Sequence, residues 1–185
     1  METLEAMSKR ACLKTRISPR DIEQEKIIQI LDVARLAPSA YNKQPWRFII
    51  VKGKDAVETL VSRAFCEANL VAREAPVIII ACANPKDDEV IDGKEYYLFD
   101  VALAMENMFL AATDLGLVTH PMTGVDEDEL KKVLGIPDEV RFVVATPLAY
   151  PTDESYDRAA RERLDQRARK DLEEVVYSNA WERPF

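Results

Sequence analysis

The chain has 185 residues, of which 48% are hydrophobic and 31% charged, and its formal net charge is −8. This length favours one globular domain with a sizeable core, and the acidic balance argues against a nucleic-acid-binding protein, which normally carries a basic surface. No apolar run approaches the roughly 18 residues that cross a membrane, and the acidic N-terminus lacks the apolar core of a signal peptide, so we expect no membrane partner and a cytoplasmic location.

The three cysteines, Cys12, Cys66 and Cys82, are odd in number and lie far apart. This spacing fits neither a disulfide framework nor a zinc site, and it agrees with a reducing compartment. The chain has a single histidine and lacks a glycine-rich phosphate loop. The sequence therefore predicts neither a metal site nor a P-loop.

Helical and extended patterns alternate along the chain. Hydrophobic periodicity predicts helices over residues 2–14, 23–36, 55–62, 65–73, 95–115 and 126–134. Apolar runs predict strands over residues 47–51, 76–83 and 140–149, the second of them buried on both faces and holding Cys82 as a small core residue. Gly116 stands where a glycine commonly ends a helix, and Asp126 stands where an aspartate commonly caps one.

The connection over residues 37–46 joins a strongly periodic helix to the first apolar strand. It contains two prolines and the polar side chains of Ser39, Asn42 and Gln44. Prolines fix φ, and amide and hydroxyl groups supply hydrogen bonds, so such a loop can hold a flat heterocycle rigidly. The alternative interpretation is a connection that its prolines merely stiffen.

The order of the residues in this stretch is more informative than its composition. Residues 34–48, Ala-Arg-Leu-Ala-Pro-Ser-Ala-Tyr-Asn-Lys-Gln-Pro-Trp-Arg-Phe, closely resemble the segment AAR-x-APS-x-x-N-x-QPWRF of the nitroreductase family. Members of that family are FMN-dependent oxidoreductases that fold as α+β homodimers with the flavin at the subunit interface. The resemblance implies a central, mostly antiparallel sheet flanked by helices, a long central helix and an extended C-terminal arm. It implies a single domain over residues 1–185, with residues from about 171 to 185 docking on the partner subunit.

The resemblance also implies a set of flavin contacts. The loop of one subunit would hold the ring through Pro38, Ser39, Ala40 and Asn42. The segment from Arg10 to Lys14, with Ala11 and Cys12 between them, is similar to the family's R-x-S-x-R/K segment. There the arginine meets the FMN phosphate, which suits the fork of donors on a guanidinium, and the later basic residue lies near the N1 and O2 edge of the ring. Cys12 stands where serine is usual.

The segment that follows the long helix resembles the family's GLG-x-x-W-x-G-G segment, whose backbone lies against the flavin and offers an amide to N5. The matching residues are Pro121, Met122, Thr123 and Gly124, with Val118 and Thr123 in place of glycines. His120 is a candidate general acid, because imidazole titrates near neutral pH. Hydride transfer to flavin needs no protein acid, so a structural histidine is the alternative.

The tail contains a basic cluster, since residues 158–170 hold six basic and two acidic side chains in an otherwise acidic chain. Such a cluster predicts a local anionic partner. Arg167 and Arg169 precede Asp171–Val176 in a pattern similar to the family's basic-x-Arg-x-PLEEVV ending, in which the paired basic residues grip the FMN phosphate. A solvated helix with internal salt bridges is the alternative for residues 158–163.

These resemblances together imply an NAD(P)H oxidoreductase in which the flavin itself, rather than a side chain, carries the catalysis. NAD(P)H would deliver hydride to N5, and an electron-poor acceptor of nitroaromatic or quinone type would then take the electrons in a ping-pong sequence. Two alternatives remain open. One is a non-catalytic FMN-binding or storage protein, and the other is a different flavin chemistry on the same fold, such as reductive dehalogenation or dehydrogenation.

Overall fold

The computed structural model describes residues 2–12, 16–156 and 158–185, and the chain divides into two compact units, Met1–Ser155 and Tyr156–Phe185. The first unit contains five helices in the described ranges: α1 Thr3–Lys9, α2 Gln24–Ala34, α3 Lys54–Ala64, α4 Tyr97–Asp114 and α5 Glu127–Leu134. Its strands are β1 Ile17–Ser18, β2 Trp46–Lys52, β3 Val77–Ala83, β4 Val90–Ile91, β5 Lys94–Glu95, β6 Val118–Thr119 and β7 Arg141–Pro151. Short 3-10 helices span Ala40–Asn42, Glu67–Glu74, Pro85–Asp87 and Asp153–Tyr156.

The main sheet is antiparallel between all of its strands. Its path is β1–β7–β3–β2, and β6 also pairs with β7. Leu148 of β7 faces Val77 of β3 in one ladder and Thr119 of β6 in the other. Because these ladders use opposite sides of β7, β6 and β2 lie towards opposite edges of the sheet. All seven residues of β3 are buried, as its continuous apolar run predicts.

Helix α4 packs against α2 and one face of the sheet, and it is the predicted long central helix. Ile27 and Ile30 of α2 join Met105 and Met108 of α4 in the core. The buried stripe of α4 differs in detail from the prediction, because Leu98 and Ala102 are exposed and Ala104 is buried. The α+β fold with a mostly antiparallel sheet and a long central helix is confirmed.

Two predicted helix boundaries, the end of α4 and the start of α5, are confirmed. Gly116 has φ +76°, Leu117 N–H donates to the Ala112 carbonyl at 2.8 Å, and Gly116 N–H donates to that of Thr113 at 3.1 Å. This pair of bonds is a Schellman ending, for which a residue without Cβ is the easiest fit. At the start of α5, Asp126 Oδ1 accepts the Glu129 N–H at 3.0 Å.

Three stretches of the structure differ from what the sequence predicts. Helix α1 ends at Lys9 rather than at residue 14, since Arg10 is already extended and Cys12 pairs with Thr119. The 65–73 segment forms a 3-10 helix, Glu67–Glu74, instead of an α-helix. Residues 84–93, for which the sequence predicts neither a helix nor a strand, contain a 3-10 turn and the first strand of the β4–β5 hairpin. The hairpin turns at Asp92 and Gly93, which have φ values of +51° and +75°.

The second unit contains α6, Arg158–Gln166, and α7, Leu172–Val175. Asp171 caps α7, and its own backbone N–H donates to Glu174 Oε1 at 3.0 Å, which completes a capping box. Beyond α7, Tyr177 and Trp181 pack their rings 5.1 Å apart, and Ser178 N–H donates to the Arg183 carbonyl at 2.8 Å. Across residues 2–12, 16–156 and 158–185, the structure contains no helix long and apolar enough to span a membrane.

Candidate functional site

The segment from Arg10 to Cys12 lies beside β6, where Cys12 pairs in parallel with Thr119. From Thr119 the chain continues along β7 as far as Met122, whose backbone exchanges two hydrogen bonds with Ala145, at 2.8 and 3.0 Å. The residues that follow α1, Arg10–Cys12, therefore lie close to the segment Pro121–Gly124. These are two of the three segments in the first unit that the sequence assigns to flavin.

Arg10 holds its guanidinium near two neighbours. Its Nε lies 3.6 Å from Glu106 Oε1 on α4, and its Nη1 lies 3.5 Å from Cys12 Sγ. The Arg10 side chain is 22% exposed and that of Glu106 is 53% exposed, so the ion pair orients the arginine without sealing it from solvent. A guanidinium has five N–H donors, and these contacts leave donors for an anion. Lys14, the predicted ring ligand, lies outside the described residues.

The segment Pro121–Gly124 is held by its backbone. Met122 is fully buried, and its backbone N–H and C=O groups are both paired with Ala145, so this predicted flavin contact anchors the segment instead of facing a ligand. Gly124 O accepts the Cys66 N–H and the Asn69 Nδ2–H, both at 3.0 Å. Among the described residues, the amides of Thr123 and Gly124 donate to no protein acceptor. Two backbone donors at a rigid position are thus available to a bound molecule.

Gly124 also lies where a side chain would collide with its neighbours. A Cβ at this position would lie 2.4 Å from Cys66 Sγ and 3.1 Å from Asn69 Nδ2. Cys66 and Asn69 are site-forming residues that the sequence analysis missed. No spacing pattern marks them, since they begin a stretch predicted to be an ordinary helix, although a buried asparagine is a signal that needs an explanation.

The loop with Pro38, Ser39, Ala40 and Asn42 has an unusual backbone. Tyr41, Asn42 and Gln44 have φ values of +48°, +58° and +51°, in the left-handed region that non-glycine residues rarely adopt. Ser39 Oγ accepts the Gln44 N–H at 2.9 Å, and Asp100 Oδ2 accepts the Ala40 N–H at 2.7 Å. The Ala40 amide is thus committed to the protein. Such conformations concentrate at ligand-binding positions.

This loop and the other two segments approach different edges of the sheet. The loop leads into Trp46 at the start of β2, whereas Pro121–Gly124 follows β6, and both β3 and β7 lie between those strands. Three strand spacings correspond to roughly 14 Å across the sheet. Within one first unit, the loop therefore lies across the sheet from Pro121–Gly124.

Burial decides how two titratable side chains are interpreted. His120 is buried, and its backbone N–H donates to Thr146 Oγ1 at 3.1 Å, which favours the structural alternative over a general acid. Burial raises the pKa of Cys82 to about 11. A thiol so difficult to ionise is a core residue rather than a nucleophile, as its place in β3 predicts.

Arg167 and Arg169 follow α6 in the second unit. Arg167 is half-buried with φ +35°, and Arg169 is exposed and donates from Nη1 to the Ala168 carbonyl at 2.8 Å. Arg158 pairs with Glu162 at 2.8 Å one turn along α6. That contact is of the kind expected in a solvated helix with internal salt bridges.

The candidate site residues of the first unit fall within segments that match a known protein family. The model of the nitroreductase family matches this chain over residues 8–72 and 66–150, which include Arg10, the 38–42 loop and Pro121–Gly124. The chain belongs to the nitroreductase family. The family predicted from residues 34–48 is thereby confirmed.

Curated relatives of this chain include two with different names. A candidate NADH dehydrogenase/NAD(P)H nitroreductase of Archaeoglobus fulgidus is 34% identical over 141 residues, covering 74% of this chain and 79% of the relative. An iodotyrosine deiodinase of Thermotoga neapolitana is 27% identical over 176 residues, covering 83% of this chain and 91% of the relative. The chain is thus similar to proteins that are named for different reactions.

Solved structures agree with the fold. A nitroreductase family protein from Clostridium novyi NT has a TM-score of 0.77 and 34% identity, covering 100% of this chain and 97% of that one. An oxidoreductase containing FMN has a TM-score of 0.76 and 25% identity, covering 95% of this chain and 91% of that one. The nitroreductase fold of this chain is therefore shared along essentially its whole length.

Proposed function

We propose that this chain is an FMN-dependent oxidoreductase that carries electrons from NAD(P)H to a small electron-poor acceptor of nitroaromatic or quinone type. The pairing of Cys12 with Thr119 is the observation that carries the proposal, because it puts a cationic segment beside a backbone with two unused amides. A cation suits a phosphate, and rigid amides suit the polar edge of a flavin ring.

The residues present fit FMN. Arg10 would bind the phosphate through its remaining donors, with Ala11 and Cys12 alongside, and the Thr123 and Gly124 amides would face the ring. By resemblance to the family's ending, Arg167 and Arg169 are further candidate ligands of the phosphate. When bound, FMN would supply the two-electron chemistry of a ping-pong reaction between NAD(P)H and the acceptor.

We propose further that the site is completed in a homodimer. The loop with Pro38, Ser39, Ala40 and Asn42 lies across the sheet from Pro121–Gly124, so the loop of a second copy would cover the ring. Exposed apolar side chains next to that loop offer a surface for the second copy, namely Val90, Ile91, Leu98 and Phe99. Their burial in a dimer would also exclude water from the reacting groups.

The deciding experiment is the visible spectrum of the purified protein before and after anaerobic addition of NADH or NADPH. We expect a flavin spectrum that bleaches within seconds and returns when a nitroaromatic or a quinone is added. A flavin spectrum that persists with both nicotinamides would favour the binding or storage alternative. Absence of flavin, even after FMN is supplied, would overturn the proposal.

Reductive dehalogenation is a second candidate, because the Thermotoga neapolitana relative is named as an iodotyrosine deiodinase. Both reactions need a reduced flavin beneath an aromatic substrate. The proposed contacts between the protein and FMN would therefore serve either reaction. An acceptor panel that includes iodinated tyrosine separates them. Release of iodide at a rate above that of nitroaromatic reduction would favour the dehalogenase.

A further inference from the structure

Asp100 is a buried acid in the first turn of α4. The residue is 1% exposed, and it lies on the core side of the helix together with Tyr97 and Val101. Burial raises the pKa of its carboxyl group, the Ala40 N–H opposes this effect, and the nearby Asp88 carboxylate adds to it. A carboxylate buried at this cost calls for a structural or functional reason.

The partner of Asp100 is the backbone of the loop that the family relation connects with flavin. Asp100 Oδ2 accepts the Ala40 N–H at 2.7 Å, across 60 residues of sequence. Other hydrogen bonds of the loop are local, such as Asn42 N–H to Ser39 O and Lys43 N–H to Ala40 O, each at 3.0 Å. The Asp100 contact ties this turn to the central helix.

The loop needs such a tie because its conformation is costly. Tyr41, Asn42 and Gln44 are all in the left-handed region, and Tyr41 is 80% exposed, so packing does little to hold its side chain. Strained backbone persists only where the surrounding structure determines it. The bond between Asp100 and Ala40 acts at the residue immediately before Tyr41.

We propose that Asp100 is a positioning residue of the flavin site, which holds the Pro38–Asn42 loop in the conformation that binds cofactor. This inference rests on the proposed function for the identity of the ligand, whereas the tether itself does not depend on it. Asp100 acts through the loop and touches no reacting atom. A hydrogen-bond acceptor is needed at this position, and a negative charge is not.

Two substitutions separate these requirements. Asp100→Leu keeps the bulk but removes the acceptor, and Asp100→Asn keeps an acceptor oxygen while relieving the repulsion from Asp88. Met108→Ala is the matched control, because Met108 is fully buried in the same helix, two turns beyond Asp100. Asp100→Ala replaces the leucine variant if that one does not fold.

The first measurement is hydrogen exchange of the ligand-free protein in the peptide covering residues 36–45. We expect exchange to rise about tenfold in Asp100→Leu, from loss of a hydrogen bond to a carboxylate, and to stay near wild type in Asp100→Asn. Met108→Ala should lower Tm while leaving exchange in this peptide unchanged. Equal exchange in the leucine variant and the Met108→Ala control would overturn the tether.

The second measurement is FMN titration of the same variants at a temperature where all are folded. We expect Kd to rise about tenfold in Asp100→Leu and to change less than about twofold in Asp100→Asn and Met108→Ala. Unchanged FMN affinity in a leucine variant with a loosened loop would overturn the positioning role. If wild type binds no FMN, the proposed function fails, and the exchange data still decide whether Asp100 tethers the loop.

Discussion

Cys66 packs directly against Gly124. Its amide donates to the Gly124 carbonyl at 3.0 Å, and its Sγ atom occupies the space, 2.4 Å away, that a Cβ at residue 124 would need. The backbone of Gly124 thus lies against residues 66–69, and any other residue at this position would have to displace the Cys66 side chain. The segment that would face the flavin is rigid for this reason.

The first prediction follows from that contact. Gly124→Ala should lower the free energy of unfolding by about 1–3 kcal/mol, because the new methyl group collides with Cys66 Sγ. The double variant Cys66→Ala/Gly124→Ala should recover most of the loss. Urea denaturation of the four proteins measures the coupling, and independent, additive effects of the two substitutions would show that the contact is absent.

The second prediction concerns the phosphate contact. Arg10→Ala should weaken FMN binding about tenfold or more, since it removes charge-assisted hydrogen bonds. Arg63→Ala, which removes an exposed arginine paired with Glu129, is the control and should leave the affinity unchanged. Fluorescence titration with FMN provides the measurement. Wild-type affinity in both Arg10→Ala and Arg167→Ala would refute the phosphate assignment.

The third prediction tests whether the site is shared between two copies. Arg10→Ala and Asn42→Ala would damage different halves of each site, so subunits of both variants that are unfolded and refolded together should regain some intact sites. Random pairing restores about one quarter of them. FMN binding by the mixture, compared with each variant alone, gives the result. A mixture no better than its parents would mean that one chain supplies both halves.

The fourth prediction concerns pH. A hydrogen bond from the Tyr150 hydroxyl lowers the pKa of Glu23 from its ordinary 4.5 to about 2. A lowered pKa in the folded state stabilises the protein above the ordinary value, and this contribution disappears as pH falls towards 2. Tyr150→Phe should therefore be less stable than wild type at pH 6, with a gap that narrows below pH 4.5. Thermal melts across this range measure the gap.

Tyr150→Phe also removes a second contact, because Lys26 Nζ donates to the Tyr150 hydroxyl at 2.7 Å. Loss of the Lys26 contact lowers stability at every pH, whereas loss of the Glu23 contact is confined to the range above its folded-state pKa. A gap between wild type and Tyr150→Phe that stayed constant from pH 6 to pH 2 would contradict the role of Glu23.

The fifth prediction separates the three thiols. Cys12 and Cys66 are exposed and should react with a thiol reagent in the native protein at pH 8. Cys82 should react only after unfolding, since burial both raises its pKa to about 11 and blocks access. Counting reacted thiols before and after adding denaturant tests this. Three reactive thiols in the native protein would place Cys82 outside the core.

The sequence alone determined the family and the main elements. The residues from Ala34 to Phe48 predict the family, and continuous apolar residues predict the buried strand β3. Gly116 and Asp126 mark helix ends through contacts with residues three to five positions away. These signals can be interpreted without the fold because each depends on residues that are neighbours along the chain.

Only the tertiary structure decided how these pieces combine. Helix α1 stops at Lys9 because Cys12 pairs with Thr119, and Asp100 is buried because it accepts the amide of Ala40. Asn69 and Cys66 form part of the site because Gly124 folds back onto them. Each of these contacts joins residues far apart in sequence, so its free energy depends on the packing of the whole chain, which no local pattern records.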